Sequence, residues 1–77
     1  MDIAVDLEID LSGLVCPLPL LKTKQALNGM SSGQKIKVLA TDPGSERDFQ
    51  VFSEQSGNAL LEIQVLDGKF YYLLEKM

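Results

Sequence analysis

The sequence predicts an α/β fold with its elements in the order βαβαββ, forming a four-stranded mixed sheet with two helices packed on one face. Three observations carry this expectation: an alternating run over residues 3–11, two proline-containing helix starts near residues 16–19 and 42–45, and an Asp67-Gly68 turn between two apolar runs. Four strands are too few to close a barrel, so helices must cover a face of the sheet.

Each element follows from local pattern. Ile3, Val5, Leu7, Ile9 and Leu11 alternate with Ala4, Asp6, Glu8 and Asp10, as in a half-buried strand whose acidic side leaves the other sheet face open to water. Ser12-Gly13 breaks the alternation. From Pro17 to about Met30 the spacing becomes helical, with Leu20, Leu21, Lys24, Leu27 and Asn28 along it, and Gly29 and Ser31-Ser32-Gly33 end it. Lys35 to Thr41 reads as a second strand, with Ile36, Val38 and Ala40 on one face. Asp42-Pro43-Gly44-Ser45 then suggests a helix start with Asp42 as cap, Pro43 at the first helical position, and Glu46 and Asp48 at the positive helix end. Phe49, Phe52 and Ser56 follow at helical spacing, and Gly57 closes the segment. Ala59 to Leu66 and Lys69 to Glu75 flank Asp67-Gly68, a pair suited to the positive φ angles of a two-residue hairpin turn.

Seventy-seven residues make one small domain, residues 1–77. A 45% hydrophobic and 23% charged composition suits a folded chain, with no repeat or low-complexity tract. The acidic N-terminus lacks the basic residues of a signal peptide and no apolar run reaches membrane-spanning length, so a cytoplasmic location without membrane attachment is expected. One cysteine and no histidine exclude an internal disulfide, a Cys-x-x-Cys redox pair and a Cys/His zinc site. Seven basic residues against eleven acidic ones, a net charge of −4, oppose direct, tight nucleic-acid binding.

Cys16 is the first candidate for chemistry. It stands in Gly13-Leu14-Val15-Cys16-Pro17-Leu18-Pro19, where the strand pattern ends and the helix pattern begins. Unpaired N–H groups and the aligned peptide dipoles favour a thiolate at a helix start, and proline is tolerated in the first helical turn. The alternative is a buried cysteine acting as a small hydrophobe.

With Cys16-Pro17-Leu18-Pro19 opening one helix and Thr41-Asp42-Pro43-Gly44-Ser45-Glu46-Arg47-Asp48 opening the next, the chain resembles the TusA/SirA family of small sulfur-carrier proteins over essentially its full length. The resemblance implies a two-layer α/β sandwich, similar to the C-terminal domain of bacterial translation initiation factor 3. It also implies a cysteine, Cys16, that carries sulfur as a persulfide with no bound cofactor and no metal. Sulfane sulfur would come from a cysteine desulfurase or rhodanese and pass to a downstream acceptor protein, in routes that include tRNA 2-thiolation, molybdenum-cofactor biosynthesis and sulfur oxidation.

The chemistry of the residues agrees with that role. Accepting sulfur requires a thiolate that attacks a sulfane sulfur, and a lone cysteine leaves no internal thiol to discharge the product as a disulfide. Lys24 and Arg47 match basic positions of the family and could orient the persulfide or meet an acidic donor surface; a solvated Lys and an intrahelical ion pair are the plainer alternatives. Asp42 is read as a cap, and Pro17 and Pro19 as residues that shape the cysteine turn. Leu18 stands where the tRNA-thiolation member carries an acid, and its apolar side chain would suit a hydrophobic partner surface; Ser53 stands where some members have a second cysteine. Two other classes remain open on the residues: an interaction or regulatory module using the open sheet face, and a thiol sensor.

Overall fold

The structure, a computed structural model, describes residues 5–77. Its elements are β1 (Leu7–Leu11), α1 (Leu18–Asn28), β2 (Lys35–Ala40), α2 (Ser45–Ser56), β3 (Ala59–Leu66) and β4 (Lys69–Glu75). The four strands form one sheet in the order β1-β2-β4-β3. β1 runs parallel to β2, and β4 is antiparallel to both β2 and β3. This is the predicted mixed sheet and element order.

Register assigns the two faces. Ile9, Val38, Tyr72 and Ile63 are paired neighbours across all four strands, and Ile36 sits between Leu7 and Leu74. Ile36, Val38, Tyr72 and Leu74 belong to the core with Leu11, Leu27, Phe49 and Phe52, Ile9 and Ile63 pack against it, and Leu7 at the start of β1 is exposed. The opposite face carries Glu8 beside Lys37 and Lys35 beside Glu75, opposite charges on adjacent strands, as a solvated face requires. There Leu39 lies between Asp10 and Tyr71, and the Lys37 ammonium stands 5.8 Å from the Tyr71 ring centre. A shallow groove on this side is lined by Glu8, Ile9, Asp10, Lys37, Leu39 and Tyr71.

Several boundaries and faces depart from the sequence expectation. The first strand begins at Leu7, where pairing with Ile36 begins, and Ile3 and Ala4 lie outside the described residues. Helix α1 begins at Leu18, with Pro17 before it and Pro19 in its first turn. Its buried stripe is Pro19, Thr23 and Leu27, whereas Leu21, Lys24 and Asn28 are exposed and Leu20 is half-buried. Thr23 can enter the core because its hydroxyl donates to the Pro19 carbonyl at 2.8 Å, so no polar group is left unpaired. Asp42 is not a side-chain cap: α2 starts at Ser45, Gly44 precedes it, and no side chain caps the helix. The Ser45 N–H instead donates to the Asp42 backbone carbonyl, so a backbone turn fills that role. The hairpin turn is as expected, with positive φ at both Asp67 and Gly68.

One anchor sets where α2 begins. The buried Ser45 and Tyr72 hydroxyls share a 2.6 Å hydrogen bond, and the Phe49 and Tyr72 rings stack with centres 4.2 Å apart. Burying each aromatic side chain contributes about 1.5–3 kcal/mol, and the hydrogen bond fixes the first turn of the helix over β4. At the other end Ser53 bridges α2 to β3: its hydroxyl donates to the Asn58 carbonyl and accepts from the Leu60 N–H.

Replacing Tyr72→Phe leaves the Ser45 hydroxyl buried without its partner and is expected to lower unfolding stability in urea by about 1–3 kcal/mol, with partial recovery in Tyr72→Phe/Ser45→Ala. Burial raises the Tyr72 pKa, against the Ser45 hydrogen bond, and the charges of Glu46, Asp42 and Asp48 raise it further. A proton held more tightly in the folded state stabilises the protein below the unfolded phenol pKa of about 10, and that stability is lost as pH rises through the higher folded value. Wild-type stability should therefore fall more steeply than that of Tyr72→Phe above about pH 10.

Candidate functional site

The parallel pairing of β1 with β2, ending at Leu11 opposite Ala40, brings the loops after both strands to one edge of the sheet. In open α/β sheets, sites form at the carboxyl ends of parallel strands, where loops and helix N-termini converge. Here the first loop carries Cys16 and the second carries Asp42 and leads into α2.

The cysteine loop is built by short-range bonds. Asp10 accepts from the Ser12 N–H and hydroxyl, and these bonds hold its own carboxyl below the usual carboxylate range. The Leu14 N–H donates to the Leu11 carbonyl. Gly13 has φ +85°, a left-handed conformation that glycine adopts without strain, and its N–H donates to the Thr41 hydroxyl at 2.8 Å. That bond ties the cysteine loop to the end of β2. The Leu18 N–H then donates to the Val15 carbonyl and the Leu21 N–H to the Pro17 carbonyl, starting α1.

Cys16 is exposed, so the buried-hydrophobe alternative does not hold. Its thiol donates to Asp48 Oδ2 at 2.9 Å, a contact between residues 32 positions apart. Among the described residues no backbone N–H donates to the sulfur. The expectation of a thiolate favoured by the α1 N-terminus is therefore corrected. The hydrogen bond to Asp48 raises the thiol pKa, desolvation raises it further, and the charges of Asp48 and Asp42 act in the same direction. The S–H can donate to a carboxylate only while it keeps its proton, so the pair favours the thiol.

Flanking Cys16 in the chain, Val15 and Leu18 are exposed apolar residues at 64% and 40% relative accessibility. Pro17 is exposed, and Pro19 is buried in the first turn of α1. Asp42 Oδ2 is buried and has no hydrogen-bond partner among the described residues. Lys24 and Arg47 are exposed and neither bonds Cys16; the Lys24 ammonium lies 5.5 Å from the Phe52 ring centre, bridging α1 to α2. Asp48 was legible in the sequence only as an acid at a helix start. Its meeting with Cys16 depends on the pairing of β1 with β2. Among the described residues no group of three or more Cys, His, Asp or Glu is placed to hold a metal ion, and no helix is long and apolar enough to cross a membrane.

A sequence model described as Sulfurtransferase TusA matches residues 7–76. The chain belongs to the TusA family. It is 55% identical over 71 residues to the sulfur carrier protein TusA of Allochromatium vinosum, covering 92% of this chain and 93% of that protein. The TusA of Pseudomonas syringae is 36% identical over 97% of this chain and 89% of its own length. The crystal structure of a SirA-like protein from Desulfitobacterium hafniense superposes with a TM-score of 0.78 at 28% identity, covering 90% of this chain and 95% of that one. The TusA fold thus holds both loops of the candidate site within the matched region.

Because Asp48 favours the protonated sulfur, the alkylation rate of Cys16 by iodoacetamide should rise with pH along a profile displaced to higher pH than that of free cysteine. At pH 7 the folded protein should react more slowly than its urea-unfolded form, and a profile at or below that of free cysteine would contradict the Asp48 contact.

Proposed function

We propose that this TusA-family protein is a sulfur carrier that accepts sulfane sulfur on Cys16 as a persulfide and delivers it to a partner protein. The observation that carries the reading is the exposed, lone Cys16 at the convergence of the two βα loops, without an internal thiol to attack its cargo. In loading, the Cys16 sulfur attacks the outer sulfur of a donor persulfide. Its electron pair makes the new S–S bond, and the donor S–S pair leaves on the donor sulfur. The proton given up by Cys16 balances the departing thiolate, so sulfur moves without net oxidation.

The donor in this reading is a cysteine desulfurase or a rhodanese, and the acceptor is a downstream protein serving tRNA 2-thiouridine formation, molybdenum-cofactor assembly or sulfur oxidation. Val15 and Leu18 offer an apolar contact at the sulfur, Pro17 and Pro19 shape the turn that presents it, and Arg47 and Lys24 offer cations to an acidic partner face. A single domain over residues 1–77 acting in the cytoplasm completes the proposal.

A second reading uses the groove on the open sheet face between Glu8, Lys37 and Tyr71 as a protein-binding surface without sulfur chemistry. The two separate in one experiment. The reduced protein is incubated with a cysteine desulfurase and cysteine, or with a rhodanese and thiosulfate, and its intact mass is measured without reductant. A gain of one sulfur atom on Cys16, removed by dithiothreitol and lost in Cys16→Ser, is the expected result. No gain with either donor, or loading retained in Cys16→Ser, overturns the assignment.

A further inference from the structure

We propose that Asp48 is a positioning residue that holds Cys16 as a protonated thiol in the free carrier and releases it when a sulfur donor presents a lysine or arginine to the same carboxylate. This rests on the proposed carrier function of Cys16 and names the partner chemistry that function requires.

The geometry supplies the restraint. Sγ and Asp48 Oδ2 are 2.9 Å apart, on loop and helix segments that the Gly13–Thr41 and Ser45–Tyr72 bonds hold in place. The charged groups acting on the sulfur are Asp48 from α2 and Asp42 from the preceding loop, both acidic, and the first turn of α1 contributes no acid. Arg47, next to Asp48, is exposed and makes no bond to Cys16. The free carrier therefore surrounds its nucleophile with negative charge, the opposite of what activates a thiol.

A nucleophile held this way is spared from adventitious electrophiles in solution, and it must be activated on contact. A cation brought to Asp48 by the donor would compete for the carboxylate and make the thiolate less costly, leaving the electron pair free to attack the sulfane sulfur. The proton lost by Cys16 passes to the donor thiolate that leaves, so no outside acid or oxidant is needed. Val15 and Leu18, exposed apolar residues flanking Cys16 in the chain, would be covered by a partner that docks on the loop, and excluding water there strengthens the charge pairing.

The test compares wild type, Asp48→Asn and Asp42→Asn, each confirmed as folded by circular dichroism and thermal melting. Iodoacetamide alkylation of Cys16 is followed against pH. Asp48→Asn keeps the shape and removes the charge, so its profile is expected to move to lower pH, with alkylation at pH 7 faster by roughly three- to tenfold. Asp42→Asn, which loses a nearby charge but no bond to the sulfur, should move it less. An unchanged profile in Asp48→Asn overturns the proposal whether or not the protein carries sulfur.

Loading is then measured by intact mass with two sources, inorganic polysulfide and a cysteine desulfurase with cysteine. Faster loading of Asp48→Asn from polysulfide, in step with alkylation, together with no gain from the desulfurase, supports activation through Asp48. An equal gain from both sources overturns the part assigned to the donor cation. Failure of wild type to load from any source defeats the carrier reading itself, while the alkylation profile still decides the role of Asp48.

Discussion

The parallel pairing of β1 with β2 is the constraint on which the rest of this protein depends. Parallel strands cannot be joined by a tight turn, so the chain must cross over through α1, and both strands then end at the same edge. That edge receives the loop with Cys16 and the loop that starts α2. Reversing the β1 direction would send the cysteine loop to the opposite end of the sheet, away from Asp48, with every local motif unchanged. The Gly13 N–H to Thr41 hydroxyl bond closes the two loops together, and the Ser45–Tyr72 bond fixes where α2 starts, so Asp48 arrives beside the sulfur as a consequence of the fold.

The site combines features that pull in different directions. Exposure and the absence of another cysteine suit a group that must meet partner proteins and keep its cargo. Asp48 in the first turn of α2 and Asp42 in the loop before it oppose the negative charge that a reactive sulfur needs. A helix N-terminus tolerates acids well because its dipole is positive, so Glu46 and Asp48 suit α2 itself. The effect of Asp48 on Cys16 comes from a helix other than the one the cysteine precedes.

Much of the fold was legible because its signals are local. Asp67-Gly68 declared the hairpin, Gly57 the end of α2, and Ile36, Val38 and Ala40 the buried side of β2, each through backbone preference or period-two patterning. The errors fall where a polar group is satisfied by something local pattern does not display. Thr23, which the apolar spacing did not mark, lies on the buried stripe of α1 with its hydroxyl bonded to the Pro19 carbonyl. Asp42 looked like a cap from its place before proline, but the turn used its backbone carbonyl and left a carboxylate oxygen without a partner among the described residues.

By itself the sequence determined the element order, the buried face of β2 and the helical spacing of Phe49 and Phe52 in α2, and it singled out Cys16 as the candidate for chemistry, because periodicity, turn residues and a lone thiol are properties of short segments. The electrostatic character of that thiol was decided only by tertiary structure. Thirty-two positions separate Cys16 from Asp48, and no local preference reports a contact across that distance. The helix start nearest in sequence favoured the thiolate, and the carboxylate nearest in space favoured the thiol. The carboxylate prevails because a direct hydrogen bond to a charged group acts at contact, whereas among the described residues no N–H of the α1 terminus reaches the sulfur.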